Sequence, residues 1–343
     1  MSGEYQFNWL RHASSFALKE IEHLLASNGL ALEKGLTQFV EVRDSGRLIA
    51  CAGLDGNIIK CVAINELYRG SSLSLSLISE VMNTACREGI DHLFLYTKPE
   101  NVPLFVGCGF TPLVSVAGRV TLLENSATRL KMYCSDLAKQ YHQGQKIGGI
   151  VMNANPFTLG HYYLIKQAAA CCDWLHVFVV KEDASRFAYK DRFELVRAGI
   201  ADIDRVILHA GSDYILSKAT FPAYFLKDQG IVDECYTALD LMLFRQYIAP
   251  ALGINHRFVG TEPFDAVTAK YNRDMAYWLS DAQSDAPPIT VVEIPRIEKF
   301  DAAISASRVR KLLDEGNWAL IRELVPETTF NFLLNTAKNN VMN

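Results

Sequence analysis

At 343 residues the chain is long enough for about two domains. Its composition, half apolar and about a fifth charged, is that of an ordinary globular protein and excludes disorder, collagen-like repetition and a disulfide-stapled mini-protein. With 34 basic against 38 acidic residues the net charge is −4, which argues against a broad nucleic-acid surface while leaving room for a local basic pocket.

The first eleven residues place Glu4, Gln6 and Asn8 where a signal peptide has its apolar core. No apolar run approaches the ~18 residues of a membrane span. Eight cysteines, none in a Cys-x-x-Cys pair, read as reduced thiols. These features point to a cytoplasmic protein.

In chain order, Leu18, Ile21 and Leu25 share one face of a helix over 15–27, which Gly29 closes. Three strands follow, Leu36–Val42, Leu48–Leu54 and Ile58–Ile64. Asp44-Ser45-Gly46 and Asp55-Gly56-Asn57 separate them as turns, the pattern of an antiparallel meander. A helix over 73–88, a strand His92–Tyr96, a short helix near 101–107 and strands after Phe110 complete a mixed first domain, 1–134. The polar stretch 135–146 reads as a linker.

From 147 the pattern changes. Ile147–Met152 and Trp174–Val180 are near-continuous apolar runs, as in strands covered on both faces, and Leu164, Ile165, Ala168 and Cys172 between them have helical spacing. Arg205–Leu208, Arg257–Val259 and Ile289–Ile294 continue the alternation. The expected second domain, 147–343, is therefore α/β with a parallel, doubly wound sheet.

The first strand of that domain runs into Asn153-Ala154-Asn155-Pro156-Phe157-Thr158-Leu159-Gly160-His161, a loop that opens a helix at the strand's carboxyl end. A helix N-terminus there offers backbone N–H groups to a phosphate. Gly160 removes a side chain where the phosphate comes close, and His161 donates to phosphate oxygens as charge develops. Thr158-Leu159-Gly160-His161 resembles the His/Thr-x-Gly-His motif of nucleotidyltransferases that cleave ATP between its α- and β-phosphates. Ile304-Ser305-Ala306-Ser307-Arg308-Val309-Arg310 resembles the Ile-Ser-x-Ser-x-x-Arg motif of the same superfamily. It too follows an apolar strand and opens a helix, with Ser305 and Ser307 as caps or phosphate donors and Arg310 as a charged fork for the β- and γ-phosphates. Arg192 has two readings, a contact to a phosphate or to the acid substrate, or a surface ion pair with Glu194 or Asp191. After the strand at 257–259, Gly260 admits adenine or ribose, and Glu262 either accepts from a ribose hydroxyl or caps the next helix.

Asn101-Val102-Pro103-Leu104-Phe105-Val106-Gly107-Cys108-Gly109-Phe110 resembles a stretch of the GCN5-related N-acetyltransferase (GNAT) fold. That resemblance implies a pantetheine pocket at Arg69, Gly70, Ser72 and Asn101. The loop Arg69-Gly70-Ser71-Ser72-Leu73-Ser74 departs from the fold's Gln/Arg-x-x-Gly-x-Gly/Ala pattern, and serine lacks the backbone freedom of the missing glycines. A retained pocket without acetyl transfer is the expectation.

The two domains together resemble the citrate lyase ligase family, on Tyr96 to Asn101, Met152 to His161 and Arg257 to Phe264. The resemblance implies a GNAT-like α+β domain followed by a Rossmann-like nucleotidyltransferase domain. It implies ATP and Mg²⁺ as cofactors, and as partners acetate and a citrate lyase acyl carrier subunit with a CoA-like prosthetic group. Acetate becomes acetyl-adenylate and then a thioester on that thiol. In this scheme Thr158 and His161 serve the α-phosphate, Asn153 and Asn155 orient ATP or acetate, and no protein metal ligand is expected. An adenylyltransferase joining AMP to nicotinamide mononucleotide or pantetheine phosphate is the alternative.

Overall fold

The structure, a computed structural model, describes residues 5–341 apart from Ser71, 182–184, 217–220, 222–223, 225–228, 262–265 and 282–283. It forms two compact units, Met1–Met132 with Thr220–Leu239, and Tyr133–Ala219 with Asp240–Asn343. The first crossing point lies beside the expected end of the first domain at 134. The return of 220–239 to the first unit has no counterpart in the sequence expectation.

The first unit contains β1 (Gln6–Leu10), α1 (Ser15–Ser27), β2 (Phe39–Asp44), β3 (Arg47–Asp55), β4 (Ile58–Ile64), α2 (Leu73–Arg87), β5 (Phe94–Thr97), α3 (Val102–Gly107), β6 (Thr111–Val116) and β7 (Val120–Glu124). Its sheet has the order β1-β2-β3-β4-β5-β7-β6. The expected meander is present, since β2 pairs with β3 and β3 with β4, both antiparallel. One face packs Ile21 and Leu25 of α1 against Phe39, Cys51 and Cys61. The other packs Leu73, Leu77 and Val81 of α2 against Val40, Ile49 and Leu95. The order of meander, helix, strand and short helix is that of a GNAT-like domain. β4 and β5 run parallel but pair only at Ile58↔Phe94 and Ile59↔Leu95.

α4 (Arg129–Ala138) crosses the border between the units and takes up the first part of the expected linker. The second unit then runs β8 (Ile147–Met152), α5 (Leu159–Ala170), β9 (Trp174–Val179), α6 (Tyr189–Gly199) and β10 (Val206–His209). α7 (Gln229–Leu243) brings the chain back from the first unit. It is followed by α8 (Ala249–Leu252), β11 (His256–Gly260), α9 (Ala266–Ala276), β12 (Thr290–Ile294), α10 (Ala306–Asp314), α11 (Trp318–Arg322) and α12 (Glu327–Val341).

Its five-stranded sheet has the order β10-β9-β8-β11-β12 with every pairing parallel. The chain winds outward from β8 in both directions, so the strand order reverses between β8 and β11, where such sheets bind ligands beyond their carboxyl ends. A Cβ at Gly148 would come within 2.7 Å of the Phe258 ring and 2.8 Å of the Leu175 side chain, so glycine leaves the room that these core side chains fill. Ile150, Ile165, Ala168, Val177, Val196 and Phe258 form the core under α5 and α6. Among the described residues no helix is long and apolar enough to cross a membrane. The eight cysteines are all free, and Cys171 is exposed while Cys172 is buried.

Candidate active site

The two motif helices of the second unit meet at one cleft of about 330 Å³. Thr158 caps α5 by accepting from the His161 amide (3.3 Å), and Ser305 caps α10 by accepting from the Arg308 amide (3.2 Å). Contact between the two chain segments is direct, since a Cβ on Gly160 would lie 2.5 Å from the Ile304 carbonyl oxygen. Gly160 therefore serves backbone packing between the two motifs. Arg310 ties the motifs a second time, its Nη1 donating to the Asn155 carbonyl at 2.6 Å.

His161 is the best-defined group of the cleft. Its Nδ1 accepts from the Thr158 amide at 3.0 Å, with the Thr158 hydroxyl also 3.0 Å away. An amide can only donate, so Nδ1 carries no proton and Nε2–H is left as the donor. The ring stacks at 5.7 Å on Phe157, which Gly199 of α6 packs against. Burial, and then the charge of Arg296, push the His161 pKa down to about 4. The imidazole is therefore neutral at pH 7, and its Nε2–H is able to donate a hydrogen bond without a formal charge.

Thr158, Gly160, His161, Gly260, Ser305, Ser307 and Arg310 all line the cleft. The Ser305 and Ser307 hydroxyls are 3.1 Å apart. Among the described lining residues there are two arginines, Arg296 and Arg310, and no carboxylate. Two helix N-termini with two cations and a histidine N–H are groups whose chemistry suits an anion.

Other expected site residues have different posts. Arg192 is fully buried and does not reach the cleft. Its guanidinium donates to the carbonyls of Phe187 (3.1 Å), Asn153 (2.6 Å) and Val180 (3.0 Å) and to the Asn153 side chain. Both sequence readings of Arg192 give way, because the loops after β8 and β9 leave carbonyls inside the fold that need a donor. Asn155 turns its Oδ1 to the Phe187 amide at 3.2 Å, and Asn153 bonds Ser185 at 3.1 Å. These two asparagines brace the loop from behind rather than lining the cleft. Glu262 lies outside the described residues.

The first unit has a second cavity, about 480 Å³, at the ends of β4 and β5 beyond their short pairing. Arg69, Gly70 and Asn101 lie on its wall. Arg69 donates to Asn28 at 2.7 Å, Gly70 takes φ +76°, and Ser72 stands next to the wall as the N-cap of α2. Tyr224 closes one side. Its amide donates to Glu33 (2.9 Å) and its hydroxyl to the Tyr96 carbonyl (3.5 Å).

Comparison with known proteins bears on both units. The family description "Citrate lyase ligase C-terminal domain" matches residues 147–333. The chain is 53% identical over 335 residues to the citrate pro-3S-lyase ligase of Escherichia coli strain K12, covering 98% of this chain and 95% of that protein. It is 55% identical over 317 residues to the enzyme of the same name from Haemophilus influenzae, covering 92% and 95%. The chain belongs to the citrate lyase ligase family.

It is thereby an enzyme, a ligase of that family. Solved structures similar to the first part of the chain include Escherichia coli ElaA, at 16% identity and TM-score 0.32, covering 36% of this chain and 99% of that one. An acyl-CoA N-acyltransferase from Pseudomonas aeruginosa is similar at 14% identity and TM-score 0.32, with the same coverages.

For this member of the citrate lyase ligase family, sequence reasoning missed Arg296 and Tyr224. Arg296 follows β12 directly as Pro295-Arg296, a cation at a strand's carboxyl end, which was a usable signal. Nothing in the sequence around Tyr224 shows that it packs on a unit built nearly 100 residues earlier.

The Gly160–Ile304 approach gives a direct test. Gly160→Ala forces its methyl into a backbone carbonyl, at a cost of about 1–3 kcal/mol. Thermal unfolding should show a lower midpoint, and tripolyphosphate should stabilise the variant less than the parent.

Proposed function

We propose that the chain activates citrate lyase by acetylating the CoA-like prosthetic-group thiol on its acyl carrier subunit, using ATP and acetate through acetyl-adenylate. The observation that carries this reading is the convergence of α5 and α10 on one cleft that holds His161, Arg296 and Arg310.

A carboxylate oxygen of acetate attacks the α-phosphorus while the bond to the β-phosphate oxygen breaks, and pyrophosphate leaves. The thiol sulfur then attacks the acetyl carbonyl, and AMP leaves with the oxygen that acetate supplied. Adenylation turns a poor leaving group into a good one. The protein's part is to hold the groups in line and to stabilise charge on phosphorus.

Nε2–H of His161 donates to the α-phosphate as negative charge grows, and Thr158 fixes the tautomer that makes this possible. Ser305, Ser307 and Arg310 hold the β- and γ-phosphates, joined by Arg296. Gly260, at the end of β11, leaves room for the nucleoside. Asn153, Asn155 and Arg192 keep the loop after β8 in shape.

Mg²⁺ comes with the triphosphate in this reading. Among the described residues no group of three or more His, Cys, Asp or Glu is arranged to hold a metal. When bound it neutralises charge on the departing pyrophosphate.

The cavity of the first unit takes the pantetheine arm, with Arg69 for its phosphate and Gly70, Ser72 and Asn101 around it. Serine in place of glycine in that loop suits binding better than acetyl transfer.

Acetate-dependent exchange of labelled pyrophosphate into ATP, with Mg²⁺ and no carrier, tests the first half-reaction. Exchange is expected. Its absence with acetate, or its dependence on a phosphorylated metabolite instead, overturns the reading. Arg69→Glu is expected to keep exchange while slowing carrier acetylation about tenfold or more. Loss of both activities counts against a thiol-arm role for the first unit.

A further inference from the structure

Between β12 and α10 the chain makes a small hairpin whose two legs both belong to the cleft. Arg296 and Ile297 line it on the way out, Ile304 and Ser305 on the way back. The Ile304 amide donates to the Ile297 carbonyl (3.1 Å), Glu298 bridges Ala303, and the Lys299 amide donates to the Ala302 carbonyl (2.9 Å). Its tip is Phe300-Asp301.

Both tip residues are left-handed, with φ +56° at Phe300 and +54° at Asp301. Two positive φ values in a two-residue turn are what Asn-Gly adopts at little cost. A bulky aromatic there is strained. The strain is held in place from several sides. Arg308 Nη1 donates to the carbonyls of Lys299 (2.8 Å) and Ala302 (3.0 Å), and Lys299 pairs with Glu323.

The Phe300 side chain stabilises nothing in the core, for the residue is 55% exposed. Its ring meets Lys299 Nζ at 5.8 Å. A strained turn that is clamped rigidly and presents an unburied ring points to a use outside the fold. The hairpin rises from Ser305, and three residues of extended chain carry its tip about 10 Å from Ile304. That is a distance on the scale separating a nucleotide's phosphates from its base.

We propose that Phe300 is a nucleobase-binding residue, offering a ring face on which the purine of ATP stacks while Ser305, Ser307 and Arg310 hold the phosphates. The proposal rests on the nucleotide reading of the cleft and adds to it the element that recognises the base.

Calorimetric titration of the full chain with MgATP, and separately with tripolyphosphate, which lacks the base, tests it. Phe300→Ala should weaken ATP binding about tenfold, as loss of one base–aromatic stack does, with tripolyphosphate affinity within twofold of the parent. Phe300→Trp should restore ATP binding. The double variant Phe300→Asn with Asp301→Gly should raise the unfolding midpoint, because the turn relaxes, and still bind ATP as weakly as Phe300→Ala.

Unchanged ATP affinity in Phe300→Ala or in the double variant overturns the proposal, whether or not carrier acetylation falls. So does an equal loss for ATP and tripolyphosphate, which would mark damage to the whole cleft. A parent protein that binds ATP without acetate-dependent exchange defeats the acetyl-adenylate reading but leaves the base contact standing. One that binds no ATP overturns both.

Discussion

His161→Ala is expected to lower kcat for acetate-dependent pyrophosphate exchange about 10²–10³-fold, the usual effect of removing one donor aimed at transition-state charge. KM for ATP should change much less, because the helix N-termini, Arg296 and Arg310 still bind the triphosphate. His161→Asn should recover part of the loss, since an amide can donate from a similar position without titrating. The pH profile gives a second check. With its pKa pushed down to about 4, His161 is already neutral at pH 5 and stays so through pH 8. Since kcat/KM reports the free enzyme, it should show no inflection from this histidine between those values. An inflection near pH 6.5 that disappears in His161→Ala would contradict the neutral donor.

Arg192→Met is expected to cost about 3–5 kcal/mol of stability. The methionine fills part of the space, but the carbonyls of Phe187, Asn153 and Val180 lose the donor they now share. Each buried group left unsatisfied costs about 1–3 kcal/mol. In a unit of this size that lowers the unfolding midpoint by roughly 10 °C. Exchange activity should fall as well at temperatures where the variant is folded, because Asn153 and Asn155 carry the loop that leads to Thr158. Arg192→Lys should recover little, since one ammonium cannot serve three carbonyls in the guanidinium's fixed geometry. A midpoint within 2 °C of the parent would show that the loops are held by something else.

How legible all this was in the sequence depends on whether the signal was local. β4 and β8 appear at the bounds their apolar runs give, Ile58–Ile64 and Ile147–Met152, because turn residues or a change of pattern bracket them. β1 was invisible although Phe7 and Trp9 pack on the core, since five residues beside a chain end carry no flanking turn signal. Thr158, Gly160, His161, Ser305, Ser307 and Arg310 stood out because the two short segments that hold them resemble nucleotidyltransferase motifs and each opens a helix after an apolar strand. Arg192 was misread for a physical reason. A guanidinium early in a helix near a phosphate site looks the same in sequence whether it faces the ligand or turns inward to unpaired carbonyls. The return of 220–239 to the first unit is a long-range event, and no periodicity encodes the distant partner of Tyr224.

The route of one oxygen atom tests the central claim most directly. If acetate labelled with ¹⁸O in its carboxylate is given to the chain with MgATP and the carrier subunit, each turnover should leave one labelled oxygen in AMP and none in pyrophosphate. Label appearing in the β- or γ-phosphate, or AMP released without label as the carrier is acetylated, would contradict attack of acetate on the α-phosphorus.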